Sequence, residues 1–313
     1  MTTFLIFVLA IFSLAAPQPR DDGRRSALEA GLARIASESD GTVAITVVHL
    51  ESGERVGLRS DEALPMASVV KLAIAIAAMA DVESGALKLS TVISIGPDDY
   101  RHGWSPLADR KKGNPTTITV REAIELILID SDNTASDALQ RTVGGPERVM
   151  ASLRRLGVAG VDVSRTMREL GSALDELGGA NGDGAAAATK SRFLADARDV
   201  ASADALADLL VRLVRGELLD PASTRFLLET MGRCRTGPDR LRAGVPEGVA
   251  LAHKTGTMDK VGTVNDVGVV TLPDGHGRLV VAVLISGSAR GTKAAERTIA
   301  AVGRAVYSAY VPR

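Results

Sequence analysis

Ser68 and Lys71 lie three residues apart in the run Met66-Ala67-Ser68-Val69-Val70-Lys71-Leu72. If Ala67 to Asp81 is helical, that spacing stacks the hydroxyl and the amine on one face, a turn apart. Pro65 precedes the run, so Ser68 falls in the first turn, where unpaired backbone N–H groups and the helix dipole favour developing negative charge. The residues around Lys71 are apolar: Val69, Val70, Leu72, Ala73, Ile74, Ala75 and Ile76. An amine buried among them is desolvated and loses basicity. A partly neutral lysine beside a serine is one way to activate a hydroxyl nucleophile. Alone, the pair proves little, because such spacings recur in helices and their lysines ordinarily snorkel to water.

Two later stretches change its weight. Asp130-Ser131-Asp132-Asn133-Thr134-Ala135 falls at a helix junction, and His253-Lys254-Thr255-Gly256-Thr257 ends a strand. Singly, Ser-Asp-Asn is an ordinary helix cap, and Lys-Thr-Gly an ordinary strand edge and turn. With Ser68 and Lys71 they bring hydroxyls, two amines and a side-chain amide from three separate segments, and chance explains that poorly.

Positioning such groups requires both strands and helices. Ser26 to Ser37 has helical apolar spacing, Thr42 to Leu50 is a β-branched strand, and Arg55 to Leu58 returns as a second strand. From Asp81 to about Val214 helices and loops dominate. Ser90 to Lys112 reads as loop, Thr119 opens a helix with Glu122 as a capping box, further helices start near Asp132 and at Pro146, and Gly171 to Ala188 reads as a mobile Gly/Ala-rich segment. Asp199 to Arg215 and Asp220 to Met231 are helical. Strands return at Val249 to Thr255, Asp266 to Leu272 and Leu279 to Ser286, and Thr292 to Ala309 closes the chain as a helix. The fold class is therefore α/β plus all-α: an antiparallel sheet built from both chain termini and flanked by helices, with an inserted all-helical domain. The boundaries are 21–64 with 215–313 for the α/β part and 65–214 for the helical part.

Composition narrows the partners. A formal net charge of −1 and 3% aromatic residues argue against a nucleic-acid surface. The single cysteine, Cys234, excludes an intrachain disulfide, and His49, His102, His253 and His276 form no metal-ligand spacing. No zinc site and no histidine-based triad are expected, and each histidine reads as a surface or supporting residue. Residues 1–20 carry an apolar run from Phe4 to Ala16 and small residues before Pro17, which reads as an export signal, too short to span a bilayer. Stable membrane insertion is not expected once it is removed.

S-x-x-K, then S-D-N, then K-T-G is the signature set of class A β-lactamases and penicillin-binding proteins. From about Ser26 to its end the chain resembles the class A serine β-lactamases. Supporting matches are Trp104-Ser105-Pro106, like an aromatic gatekeeper at the rim of the site; Thr142 to Pro146, like a short turn before a helix; Asn265-Asp266-Val267-Gly268, like a family strand; and Arg165 with Asp199, like the ion pair clipping an omega loop, here 165–199. Arg240 stands where some members place a substrate-binding arginine, with an ordinary surface arginine as the alternative. The resemblance implies that Ser68 attacks a β-lactam carbonyl to form an acyl-enzyme. It implies that the backbone N–H groups of Ser68 and Thr257 hold the oxyanion. Lys71 takes or shares the Ser68 proton, Ser131 relays a proton to the leaving nitrogen, and Lys254 supports that relay. Lys254, Thr255, Gly256, Thr257 and Arg240 face the substrate carboxylate, while Asn133 and Trp104 face its side chain. It implies an exported, periplasmic or extracellular monomer without cofactor or metal, acting on a small β-lactam or a cell-wall peptide-like substrate.

The match breaks where the acyl-enzyme must be hydrolysed. The family uses an omega-loop glutamate to deprotonate water, and Met167 occupies that place in Arg165-Thr166-Met167-Arg168-Glu169-Leu170. Gly171 stands where a polar residue usually helps hold the water, and Ser172 to Ala195 is an extra segment. Either Glu169 swings in, or Asp175, Glu176 or Asp183 substitutes, or deacylation is slow. Ala67 precludes the disulfide that some carbapenem-hydrolysing members form beside the nucleophile, and Cys234 reads as a buried small hydrophobe. Two rivals keep the same motifs: a penicillin-binding peptidase or esterase, and a non-hydrolytic β-lactam or muropeptide binder.

Overall fold

The computed structural model describes residues 22–101, 103–178 and 183–311; the export segment and His102 lie outside the described residues. Strands β1 (Thr42–His49) and β2 (Arg55–Leu58) come from the start of the chain. The short strands β3 (Leu64–Pro65), β4 (Val92–Ile95), β5 (Thr116–Thr119) and β6 (Val200–Ala201) lie among helices, and β7 (Leu251–Met258), β8 (Thr263–Thr271) and β9 (Arg278–Ser286) follow near the end. Five of these form one antiparallel sheet in the order β2-β1-β9-β8-β7, so the two ends of the chain meet where Thr42 to His49 pairs with Ser286 to Leu279.

Both faces of the sheet are covered, as the unbroken β-branched runs require. Val43, Ile45, Val47, Val281, Val283 and Ile285 pack towards the terminal helices Asp22–Ser37 and Thr292–Tyr310, with Leu32, Ile299 and Val302 opposite them. Ala44, Val48, Val280, Ala282 and Leu284 face the other core, which runs on into the helices of the middle of the chain. At its centre is the helix Val70–Glu83, buried at every position from Val70 to Asp81. A helix apolar on all sides is stable only when surrounded on all sides, and Lys71 is carried into the core with it.

Three expectations for the middle of the chain need correction. Ser90 to Lys112 is not all loop: β4 pairs with β5, and Ser105 caps a helix over Pro106–Lys111 by accepting the N–H of Ala108. The Thr119 capping box forms, but its α-helix, Val120–Glu125, gives way to a π turn over Leu126–Asp130. Gly171 to Ala188 is helical where described, within Met167–Gly178 and Asp183–Leu194. Alanine favours helix, and Leu170 and Phe193 are buried anchors on the two segments. No helix among the described residues is long and apolar enough to cross a membrane.

Candidate active site

The approach to Ser68 is fixed on two sides. β3 pairs with β6, and Met66 N–H donates to Asp199 O at 2.9 Å, tying the entry to the end of the 165–199 loop. From β8, the buried Asn265 amide donates to Pro65 O at 2.9 Å and to Met66 O at 3.0 Å. Between these ties Ala67 takes a left-handed φ of 50°, unusual for a residue with a Cβ and a sign of local strain. The expected helix therefore begins later: Ala67–Val69 is a 3₁₀ turn and the α-helix starts at Val70. β7 runs so close to this turn that a Cβ on Gly256 would lie 2.5 Å from Met66 O and 3.1 Å from Ser68 N. Glycine is required there for the strand and the nucleophile turn to touch. Ser68 itself is half-buried, and its hydroxyl has no hydrogen-bond partner among the described residues.

Two buried amines converge on Ser131. Lys71 Nζ donates to Asn133 Oδ1 at 2.6 Å, to Ser131 O at 2.6 Å and to Ser131 Oγ at 3.3 Å. Lys254 Nζ donates to the same Ser131 Oγ at 2.9 Å and to Thr255 O at 2.7 Å. Ser131 presents its hydroxyl between them because the π turn ends there and Ser131 is left-handed, with φ 57°. The next residue, Asp132, caps the following helix by accepting Ala135 N–H, and also holds Leu107 N–H and Ser105 Oγ. Burial pushes Lys71 well below the ordinary lysine value, and the charge of Lys254 adds to this against Asp132 and Asp137. Burial also lowers Lys254; Cys234 and Asp266 oppose this, Arg240 reinforces it, and the outcome is about 8. Both amines touch the same Ser131 hydroxyl, which links them.

Around this centre the expected substrate-side residues fall at different depths. Trp104 is 61% exposed, its indole N–H donating to Asp130 O at 2.5 Å, and Asn133 N–H donates to Trp104 O at 3.1 Å. Thr255 is buried, its hydroxyl 2.5 Å from that of Thr236, whereas Thr257 is exposed at the end of β7. Arg240 is not a surface residue: it is 4% exposed and donates to Gly256 O and Asn265 O at 3.0 Å and to Thr257 Oγ1 at 2.6 Å. Its guanidinium backs the exposed Thr257 hydroxyl while pairing with the buried Glu296 carboxylate at 3.4 Å.

The loop behind Ser68 is closed by the expected pair. Arg165 Nε donates to Asp199 Oδ2 at 2.5 Å, Asp199 Oδ1 accepts the N–H groups of Ser164 and Arg165, and the guanidinium also reaches Asp196 and Arg198 O. Glu169 is exposed, and its carboxylate accepts Thr166 N–H at 2.8 Å and Thr166 Oγ1–H at 3.0 Å, capping the helix it opens. Asp175 is also spent on the surface, with Lys260. Met167 is buried in the core, and its N–H donates to Asp137 Oδ1 at 2.6 Å. Asp137 Oδ2 accepts from Arg168 N–H and Arg101 Nε, so this carboxylate anchors the start of the Met167 helix.

Sequence reasoning misses several residues that build this site. Asp137 and Asn265 look like ordinary helix and strand residues, and only their burial betrays them. Cys234 is half-buried rather than enclosed, 3.3 Å from Thr236 Oγ1, and no motif marks the His253–Asp266 pair.

A fold with helices on both faces of a sheet closed by the two chain ends, and two buried lysines converging on Ser131 beside the turn that carries Ser68, fit a serine acyl-transfer site. The β-lactamase enzyme family model matches residues 27–310. The chain belongs to that family. It is 27% identical over 315 residues to the extended-spectrum β-lactamase PER-1 of Pseudomonas aeruginosa, across 98% of this chain and 92% of that protein. It is 30% identical over 272 residues to the carbapenem-hydrolysing β-lactamase KPC of Klebsiella oxytoca, across 87% and 85%. Among solved structures, a β-lactamase from Chitinophaga pinensis superposes with a TM-score of 0.80 at 30% identity, covering 90% of this chain and 98% of that one. A tryptophan-to-aspartate mutant of the class A β-lactamase of the last common ancestor of Gram-negative bacteria gives 0.78 at 32% identity, covering 90% and 98%. The resemblance to the class A serine β-lactamases is thus borne out.

Proposed function

We propose that the protein opens β-lactams through an acyl-enzyme on Ser68 and releases the product slowly. The observation that carries this reading is the convergence of Lys71 and Lys254 on Ser131 Oγ, at 3.3 and 2.9 Å, beside a nucleophile turn that leaves the Ser68 hydroxyl unengaged. Neutral Lys71 takes the Ser68 proton as the oxygen attacks the lactam carbonyl. The backbone N–H groups of Ser68 and Thr257 receive the oxyanion. Ser131 hands a proton to the leaving nitrogen, and protonated Lys254 makes that transfer easier. The substrate carboxylate is met by Lys254, by Thr257 with Arg240 behind it, and by the Thr255–Gly256 edge. Asn133 and Trp104 meet the acyl side chain.

Deacylation lacks the family's glutamate: Met167 is apolar and buried, Glu169 caps its own helix, and Asp137 is tied to three donors. A positioned general base is typically worth ~10²–10⁴-fold, and the acyl-enzyme persists by about that factor. The matching experiment is Met167→Glu with Gly171→Asn. A Cβ at Gly171 meets nothing within 4 Å, so the second change fits without a clash. Deacylation should rise by ~10²-fold or more with acylation little changed; no change in deacylation would refute the assigned cause.

The chain is read as an exported monomer whose helical and α/β parts divide at about 65 and 214. The apolar N-terminal run and small residues ahead of Pro17 support export. Intact mass of the protein recovered from outside the cytoplasm tests it, with loss of roughly the first 20 residues as the outcome expected for a cleaved signal.

A further inference from the structure

The carboxylate that pairs with Arg240 comes from the far end of the chain. Glu296 lies in the closing helix Thr292–Tyr310, four residues before Ala300 and seven before Gly303, so all three share one helix face. The short helix Leu241–Gly244 rests on that face. A Cβ on Gly244 would come 2.6 Å from Ala300 O and 2.8 Å from Gly303 Cα, so only glycine allows the approach. Arg240 directly precedes this helix and is carried up to Glu296. Arg240 Nε and Glu296 Oε1 are 3.4 Å apart, with the two side chains 4% and 9% exposed.

The guanidinium divides its contacts by direction. Nη1 donates to Gly256 O and Asn265 O, both at 3.0 Å, which fixes its plane. Nη2 donates to Thr257 Oγ1 at 2.6 Å, and Thr257 is exposed at the end of β7. Nε is left for Glu296. That pairing is loose. A strong arginine–carboxylate pair is short and bidentate, whereas Glu296 meets Arg240 through one oxygen. Its other oxygen, Oε2, is buried, makes no hydrogen bond among the described residues and faces the Lys293 ammonium at 3.3 Å. Lys293 is itself shared with Asp239, at 2.6 Å. The charge of Arg240 is felt inside the site: burial lowers Lys254, and Arg240 adds to that.

We infer that Glu296 is a positioning residue that acts as the resting counter-ion of Arg240 and sets how much of its positive charge, delivered through Thr257, a substrate carboxylate meets. The inference rests on the carboxylate recognition proposed above and deepens it. An arginine keeps its proton, so the charge offered to the substrate depends on the partner behind it. With Glu296 in place the empty site holds a compensated cation, and an anionic substrate competes for it. Without Glu296 the substrate carboxylate becomes the main counter-ion of a buried charge, and its binding tightens.

The test compares benzylpenicillin with its methyl ester, which lacks the charge, on protein carrying Ser68→Ala so that binding is read without acylation. By calorimetry, adding Glu296→Gln should raise the affinity for benzylpenicillin about fivefold and leave the ester unchanged. Lys293→Met, at a side chain 75% exposed, should act in the opposite sense and weaken benzylpenicillin about twofold, because Glu296 is then left wholly to Arg240. In protein that keeps Ser68, stopped-flow acylation should show the same shift in the substrate dissociation constant, with the rate at saturation changed by less than about twofold. If Glu296→Gln does not fold, the Lys293→Met result decides alone. Equal affinity for benzylpenicillin with and without Glu296, or a parallel change for the ester, would overturn the inference and leave Glu296 a purely structural support. Affinities that shift as expected in protein that penicillin never acylates would count against the Ser68 reading and leave the role of Glu296 standing.

Discussion

At the scale of single residues, the site is a solution to a desolvation problem. Two lysines that are both fully buried cannot both hold a proton cheaply; burial lowers each, and the charge of Lys254 lowers Lys71 further. Ser131 Oγ is the shared acceptor that makes the arrangement tolerable, and the same hydroxyl is in place to move a proton onward. Lys254, at about 8, sets an expectation for pH. Its charge is present below that value and lost above it, so kcat/KM for a cephalosporin should decline as pH passes about 8. A profile flat to pH 10 would separate Lys254 from substrate binding. Asp266 tests the neighbouring charge. Asp266→Asn removes the charge that raises His253, so burial then favours the neutral ring, and denaturant unfolding near neutral pH should report a stability below that of the unaltered protein. The motif residues were legible because chemistry constrains their types and spacing. Asp137, Asn265 and Glu296 were not, because their importance lies in what folding sets beside them. Glu169 shows the converse: it was a candidate by type, and hydrogen-bond geometry commits it to a helix cap.

At the scale of elements, the nucleophile turn is held by pieces remote in sequence. β3 borrows its partner from β6, Met66 hangs on Asp199, and Gly256 lets β7 pass within contact of the turn. The Arg165–Asp199 pair therefore acts on both the loop and the entry to Ser68. Asp199→Asn should cost about 3–5 kcal/mol in unfolding and also slow acylation by penicillin, because the Met66 tie goes with it. Unchanged acylation in a destabilised variant would show that the loop and the nucleophile are independent. Gly256→Ala should impair acylation, since its methyl would fall 2.5 Å from Met66 O. Periodicity and caps gave the helix starts at Asp132, Pro146 and Asp220 well, because cap chemistry is local. It gave β4 and the 167–194 helices badly: a four-residue strand depends on its partner, and a Gly/Ala run looks formless until Leu170 and Phe193 find a core.

At the scale of the whole molecule, one hydrophobic core runs from the inner sheet face into the middle helices. Val280, Ala282 and Leu284 of β9 and Ile74 and Leu128 of the helical part belong to the same buried set. The sheet itself closes only when the two ends of the chain meet. Unfolding by guanidinium should then be a single transition seen alike by circular dichroism and by penicillin labelling; two separated transitions would show that the helical part stands alone. This architecture was legible from the distribution of strands at both ends, whereas the depth of Arg240 was not, since nothing local distinguishes a buried arginine from a surface one.

The measurement that bears most directly on the account is intact mass followed in time after mixing with benzylpenicillin. A stoichiometric adduct should form on Ser68, persist far longer than it took to appear, vanish from Ser68→Ala, and shorten its lifetime when Met167 becomes glutamate. Protein that stays unmodified at every time point, whether or not the penicillin is consumed, would contradict a long-lived acyl-enzyme built by these lysines.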